Sequence, residues 1–280
     1  MNNIACKNNK LDIYIVDAFT KELYKGNPAA VVVIQEELDE QVMQSIAMEL
    51  NLSETAFVNI SQCENNIYPL RWFTPKIEVP LCGHATIATS KILFDVIGIK
   101  DNELKYITKS GILKSRKHQG KISINFPIDQ PEEIEAPQLL LQTLGIGKFV
   151  NCIYGKQTKK LVIHVSNSHE ILDINPDFEK MKNLSFDIDV KGVGVTAQGN
   201  DSYDFISRYF NPWAGVNEDF VTGSVHTLLA PYWAKLLGKN ELKAYQASSR
   251  GGELELRLDS HGRIELLGEA IIVLRGKLEA

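Results

Sequence analysis

Two turns of small residues carry most of the side chains in this chain that are able to do chemistry. The first reads Cys82-Gly83-His84-Ala85 and the second Thr222-Gly223-Ser224-Val225, and each opens an apolar helical pattern, the one ending at Gly98 and the other at Gly238. A glycine turn at a helix start leaves backbone N–H groups unpaired at the positive end of the helix dipole, which suits a substrate carboxylate. Gly83, Gly223 and Ser224 are the expected carboxylate holders, with capping of its own helix the equal alternative for Ser224. His84, polar at the mouth of an apolar helix, is expected to donate to a carboxylate or to assist proton transfer rather than only to cap. Cys82 has a thiol that a helix N-terminus acidifies, so it is a candidate base. Its counterpart is Thr222, whose hydroxyl is no comparable base, and Cys82 is therefore expected as a small buried residue. Asp219 orients His84, binds a substrate amine or caps the second helix. Glu54 lies among Leu52, Ala56 and Phe57. Pointed into a cleft, it would gain a pKa at which a carboxyl both takes and gives a proton near neutrality, and pointed outward it is a loop charge. His226 reads as structural, and His118, His164, His169 and His261 show no ligand spacing, so no metal site is expected.

The elements around these residues repeat. Arg71-Trp72-Phe73-Thr74-Pro75 precedes the first turn and Arg208-Tyr209-Phe210-Asn211-Pro212 the second. Self-similarity at half the chain length points to two copies of one domain, not a solenoid, whose repeats run to about 20–50 residues. Alternating or β-branched runs at 11–17, 29–34, 55–60, 68–73, 104–108, 112–115 and 121–126 read as strands. Residues 38–50 read as a surface helix capped by Asp39 and stapled by Leu38 and Met43, and 85–97 as a helix so apolar that sheet must enclose it. The stretch 127–137, rich in Pro and Glu, reads as a linker. Strands follow around 150–154, 161–165, 190–196 and 204–210, with a polar helical or loop stretch near 177–183. After the second buried helix come strands at 244–248, 254–258, 264–267 and 270–274, with a hairpin at Asp259-Ser260-His261-Gly262. The fold class is α+β: two similar pseudo-symmetric domains, each a β half-barrel around a central helix, with the active-site cleft between them. Residues 1–126 form the first domain, with a C-terminal strand at about 268–280 packing back onto it, and residues 127–267 the second.

Composition removes several classes of function. A net charge of −5 gives no basic surplus for nucleic acid, and no apolar run approaches the ~20 residues of a membrane helix. Four scattered cysteines without a CxxC pair, behind an N-terminus lacking a signal-peptide core, suggest reduced thiols in the cytoplasm. Neither GxGxxG after a first strand nor GxxxxGK[ST] occurs, so neither a dinucleotide nor an NTP is indicated.

Six segments in order complete the picture: Asp17-Ala18-Phe19-Thr20 with Gly26-Asn27-Pro28-Ala29, Asn51-Leu52-Ser53-Glu54-Thr55-Ala56-Phe57, Arg71 to Pro75 with Leu81-Cys82-Gly83-His84-Ala85-Thr86, Asp219-Phe220-Val221-Thr222-Gly223-Ser224-Val225-His226, Ala230-Pro231-Tyr232-Trp233-Ala234, and Gln246-Ala247-Ser248-Ser249-Arg250-Gly251-Gly252. With these, the chain resembles the phenazine-biosynthesis PhzF-like family, within the diaminopimelate-epimerase-like fold. The resemblance implies a cofactor-free isomerase, often a homodimer, that moves a proton on a small carboxylated substrate. It places the family's general acid/base on Glu54 and further cleft residues on His84, Asp219 and Ser224. Phe220 stands where many members have proline, a departure that bears on how its loop holds Asp219.

The expectation is thus a cofactor-independent isomerase with Glu54, His84 and Asp219 catalytic and a small carboxylate as its partner. Two rivals share the fold: an amino-acid racemase or epimerase with a thiol base at Cys82, and a silent small-ligand-binding protein.

Overall fold

A computed structural model of the chain describes residues 10–63 and 66–279; Cys6 and the N-terminal stretch read above for export signals lie outside the described residues. The chain divides into two units, Met1–Tyr24 with Pro28–Ile124 and Glu269–Ala280, and Lys25–Asn27 with Asn125–Gly268.

In the first unit the alternating and β-branched runs become β1 (Lys10–Ala18) and β2 (Asn27–Ile34). Helix α1 (Glu40–Leu50) begins where the Asp39 carboxylate accepts the Gln41 N–H, and it ends at Asn51, which takes the left-handed conformation at φ 49° and returns its N–H to Ala47. A cap of this kind contributes ~1 kcal/mol, and Asn tolerates the left-handed region better than most side chains. The apolar stripe Met43, Ile46 and Ala47 is buried with Val32, Ile34, Phe57 and Phe73, and Leu38 closes over it. Strand β3 (Glu54–Asn59) runs parallel to β2 with Glu54 opposite Ala29, and β4 (Ile67–Phe73) lies antiparallel to β3. The short β5 (Glu78–Val79) pairs with the end of β4 and leads into α2 (Gly83–Ile92). Strand β6 (Glu103–Thr108) then returns parallel to β4, and β7 (Gly111–His118) and β8 (Lys121–Pro127) follow by antiparallel pairing. The C-terminal strand Ala270–Glu279 pairs antiparallel with β1, from Lys10 opposite Glu279 to Ala18 opposite Ala270.

Helix α2 packs against β1, β3, β7 and the C-terminal strand, and every residue except Gly83 and Lys91 is buried. Its polar side chains survive burial by bonding back along the helix: Thr86 to the Cys82 carbonyl at 2.5 Å, Thr89 to Ala85 at 2.8 Å and Ser90 to Thr86 at 2.7 Å. The Ser90 hydroxyl also meets Tyr106 and Ser115, so the helix is tied polar-to-polar to two strands. The apolar pattern read through residue 97 is α-helical only to Ile92; Leu93–Ile97 loosen into one π-turn, closed by Gly98 at φ 82°.

The second unit contains β9 (Pro131–Glu133), α3 (Gln138–Leu144), β10 (Asn151–Gly155), β11 (Lys160–His164), α4 (Ser168–Asp173), α5 (Phe178–Lys182), β12 (Gly192–Gln198), β13 (Phe205–Asn211), β14 (Val216–Glu218), α6 (Gly223–Leu237), β15 (Glu241–Gln246), β16 (Gly252–Leu258) and β17 (Arg263–Gly268). The order of pairing repeats that of the first unit. Strand β11 is parallel to β12, β12 antiparallel to β13, β13 parallel to β15, and β15 to β17 are antiparallel neighbours. Even the detail before each signature turn recurs. Arg71 clasps Glu78 at 2.8 and 2.6 Å over the Phe73 ring, and Arg208 clasps Glu218 at 2.6 and 3.0 Å over the Phe210 ring.

The stretch 127–137, expected as a linker, is built into the second unit. Strand β9 pairs with β10, and the buried Asp129 accepts the N–H groups of Gln157 and Thr158 and the Thr158 hydroxyl. Proline at a sheet edge is tolerated because it lacks only a donor, and this is what composition alone misreads. The short helices α3 and α4 leave no mark in the sequence pattern. Their apolar residues Leu140, Leu144 and Ile171 are spent on one cluster with Val193 and Phe210, and a helix of two turns is too brief for a periodicity.

Gly192 faces the ring of Tyr209, whose Oη would lie 1.9 Å from an added Cβ. Gly192→Ala is expected to cost ~1–3 kcal/mol, as overpacking does. Urea unfolding would read this, and an unchanged midpoint would show that Tyr209 moves aside freely.

Candidate active site

Glu54 is the first residue of β3 and His84 the second of α2; because β3 packs on α2, the start of the strand meets the start of the helix. His84 Nε2 lies 3.2 Å from Glu54 Oε2 and 3.4 Å from the Ser53 hydroxyl. On the other side of the ring, Nδ1 lies 3.5 Å from Cys82 Sγ. The imidazole therefore faces a thiol with one nitrogen and a carboxylate with the other. If Nε2–H donates to Glu54, Nδ1 keeps its lone pair toward the thiol. Gly83 follows Cys82 at the α2 N-terminus, where Cys82 occupies the cap position without a side-chain cap bond.

The side chains of His84 and Glu54 are 7% and 21% exposed. Burial raises the Glu54 carboxyl from its ordinary 4.5 to about 7, against the opposing pull of hydrogen bonds from Ser53 and Cys82. Cys82 is buried, as the comparison with Thr222 suggested, but it is not inert filler: it touches both His84 and Glu54. Among the described residues, Glu54, Cys82 and His84 are also the one group of three potential metal-ligand side chains whose donor atoms lie within 4.8 Å of one another. The imidazole turns a different nitrogen to each partner, and the thiol and carboxyl also meet directly, so the three groups form a closed cluster.

Asp219, Gly223 and Ser224 belong to the second unit. The Asp219 carboxylate accepts from Asn27 Nδ2 at 2.8 Å and from the Thr222 hydroxyl at 2.5 Å. Fully buried Gln246 stitches the same loop, its Oε1 accepting the Thr222 N–H and its Nε2 donating to the Asp219 carbonyl, both at 2.8 Å. Lys160 is buried as well; it donates to Tyr209 Oη at 2.8 Å, and burial lowers its pKa to about 8 against the raising influence of Asp219 and Asp129. Gly223 is buried at the α6 N-terminus and Ser224 is exposed beside it. His226 is structural, as expected. Its Nδ1–H donates to the Thr222 carbonyl at 2.7 Å, and burial pushes its pKa down to about 4, so the ring stays neutral. His164 does have a partner, the Tyr232 hydroxyl at 2.8 Å.

Sequence reading missed Ser53, Asn27, Gln246 and Lys160. Ser53, Asn27 and Gln246 lie inside the quoted motifs, but only the fold shows that Asn27 crosses most of the sequence to reach Asp219. Lys160 carried no signal, because a lysine at a strand start normally reads as solvated.

The fold is that of α+β epimerases. A hydroxyproline epimerase from Agrobacterium vitis, solved with bound trans-4-hydroxy-L-proline, shares it at a TM-score of 0.62 with 10% identity, covering 98% of this chain and 94% of that one. At that identity the likeness is one of fold alone. The chain belongs to the phenazine biosynthesis-like family, whose profile matches residues 16–276. A crystal structure of a PhzF-family phenazine biosynthesis protein from Enterococcus faecalis has a TM-score of 0.90 and 40% identity, covering 97% of this chain and all of that one. A relative from Halalkalibacterium halodurans, named an uncharacterized isomerase, is 45% identical over 269 residues, which is 95% of this chain and 97% of its own length.

The raised Glu54 pKa makes a stability signature. Between pH 4.5 and about 7 the unfolded chain releases a proton that the folded chain keeps, so folded stability falls as pH rises through that window, by about 3 kcal/mol in all from 1.36 kcal/mol per unit. Glu54→Gln removes this dependence. The gap between variant and wild type, followed by urea unfolding from pH 4 to 8, is expected to shift in the variant's favour with rising pH, and parallel curves would refute the shift.

Proposed function

We propose that this protein is a cofactor-independent isomerase in which Glu54 moves a proton on a small carboxylate-bearing substrate. The observation that carries the reading is the Glu54–His84 contact at 3.2 Å beside the α2 N-terminus, with burial bringing the Glu54 carboxyl to about 7. A base whose pKa matches the working pH takes a proton and returns it with little free-energy difference either way, and general acid/base catalysis of this kind contributes about 10²–10⁴-fold. A proton shift adjacent to a carboxylate builds up negative charge on the substrate, and the α2 N-terminus at Gly83 supplies a positive dipole and N–H groups to meet it. His84 holds Glu54 in place and shares its proton. Asp219 is assigned to the same chemistry as a fixed carboxylate. Gly223 and Ser224, at the start of α6, are assigned to the substrate's carboxylate, in keeping with the same helix-terminus physics.

A relative named an isomerase at 45% identity supports the class of reaction. The family resemblance adds a homodimer, and the scattered cysteines a cytoplasmic setting; light scattering of the purified protein tests the first.

The deciding experiment incubates a panel of small carboxylic and amino acids in deuterated water with wild type and with Glu54→Gln, and follows uptake by mass spectrometry. A substrate is expected to gain deuterium or isomerise with wild type, at a rate rising with pH as Glu54 ionises through about 7, and to lose ~10²–10⁴-fold of that rate in the variant. Uptake that survives Glu54→Gln would remove Glu54 as the base. A thiol base, the alternative favoured by the Cys82–His84 contact, predicts that Cys82→Ala costs as much as Glu54→Gln; the present reading predicts that it costs less.

A further inference from the structure

We propose that Cys82 is an activated nucleophile, the head of a Cys82–His84–Glu54 relay that takes acyl groups from activated esters, an acyl-transfer activity separate from the proton shift.

The geometry is that of nucleophile, base and orienting acid. Cys82 Sγ is within hydrogen-bonding reach of His84 Nδ1 at 3.5 Å, Nε2 of the same ring is held by Glu54 Oε2 at 3.2 Å, and the Cys82 thiol also bonds to the Glu54 carboxyl, so the three groups are in mutual contact. A base aligned in this way accepts the thiol proton at one nitrogen while the carboxylate fixes the ring from the other. Ser53, at 3.4 Å from Nε2, adds a second restraint on the ring. The backbone of Cys82 is restrained too, because its carbonyl accepts the Thr86 hydroxyl at 2.5 Å. Cys82 sits at the cap position of α2, in extended conformation, and its side chain spends nothing on capping. The first-turn N–H groups and the helix dipole there stabilise a thiolate and, after attack, the oxyanion.

The other described thiols lack this setting. Cys152 is buried without a base beside it and burial pushes its thiol up to about 12. Cys63 neighbours Tyr68 rather than an imidazole.

The steps balance without an external oxidant or reductant. The thiol proton passes to His84 and the thiolate attacks the ester carbonyl, forming a C–S bond and an oxyanion. Collapse breaks the C–O bond, and the leaving alkoxide or phenoxide departs with the proton from His84 when it needs one. Water, deprotonated by His84, then adds to the thioester; the C–S bond breaks, a carboxylic acid leaves and the thiol is restored. The acceptable substrates are small esters with good leaving groups.

The test uses p-nitrophenyl acetate, with no isomerisable substrate present. Wild type is expected to release a burst of p-nitrophenolate approaching one equivalent, and peptide mapping is expected to find one acetyl group on Cys82. Cys82→Ser should abolish the burst and Cys63→Ser should leave it intact. His84→Gln should slow it ~10²-fold, the loss of a general base. Glu54→Gln should retain a slower burst while the proton shift falls ~10²–10⁴-fold, so a failed acylation is distinguishable from a failed proton shift. Acetylation confined to lysines, or a wild-type burst in a folded His84→Gln, would overturn the proposal. Should His84→Gln melt early, the wild type decides: iodoacetamide must alkylate Cys82 faster than it alkylates glutathione at pH 7, and an equal or slower rate overturns the proposal.

Discussion

A helix enclosed by sheet leaves only its ends open, and the chemistry in the first unit follows from that constraint. Along α2 the buried hydroxyls of Thr86, Thr89 and Ser90 bond back to carbonyls, and Ser90 also to Tyr106 and Ser115. The amino end is different, because first-turn N–H groups have no partner inside a helix. Three chemically active side chains, from Glu54, Cys82 and His84, collect there. The site is where it is because the helix body has no room for polarity that is not already spent.

Burial then sets the character of the carboxylate. Glu54 receives hydrogen bonds from Ser53 and Cys82, which would hold its proton affinity down, yet desolvation outweighs them and brings the group to about 7. An exposed glutamate on the same strand would be a permanent anion. His84 shares the same enclosure, with one ring nitrogen toward Sγ and the other toward a carboxylate, the placement that the proposed proton transfer needs. The proposed proton shift and the proposed thiol chemistry are two uses of one arrangement, divided by whether the substrate presents an acidic C–H or an electrophilic carbonyl.

The two units show how one topology is loaded differently. Both place a short strand after an Arg-aromatic strand, both clasp a glutamate with that arginine, and both enter the central helix through a glycine turn. In the second unit Thr222 donates to Asp219, Asn27 and Gln246 bond to the same loop, and His226 donates to the Thr222 carbonyl while burial keeps its ring neutral. Asp219 accepts on both carboxylate oxygens, from Asn27 and from Thr222, whereas Glu54 meets an imidazole and a thiol, partners that can themselves give or take a proton.

The sequence by itself determined the repeat, the two glycine turns, the buried central helices and the Asp39 cap, because each rests on local periodicity or on a residue type with one conformational use. His84 stood out as a polar residue beside a small-residue turn, whereas Glu54 and Asp219 came forward through the motifs that carry the family resemblance. Only the tertiary structure decided that Glu54 touches His84 and that Cys82 touches both, for those contacts join the start of a strand to the start of a helix about 30 residues later, and no local pattern encodes a packing partner. It likewise decided that residues 127–137 are sheet edge around Asp129 rather than linker, and that Lys160 is buried. Desolvation, the term that shifts Glu54, belongs to no residue alone; it is a property of everything packed around the carboxylate, and it exists only once the chain has folded.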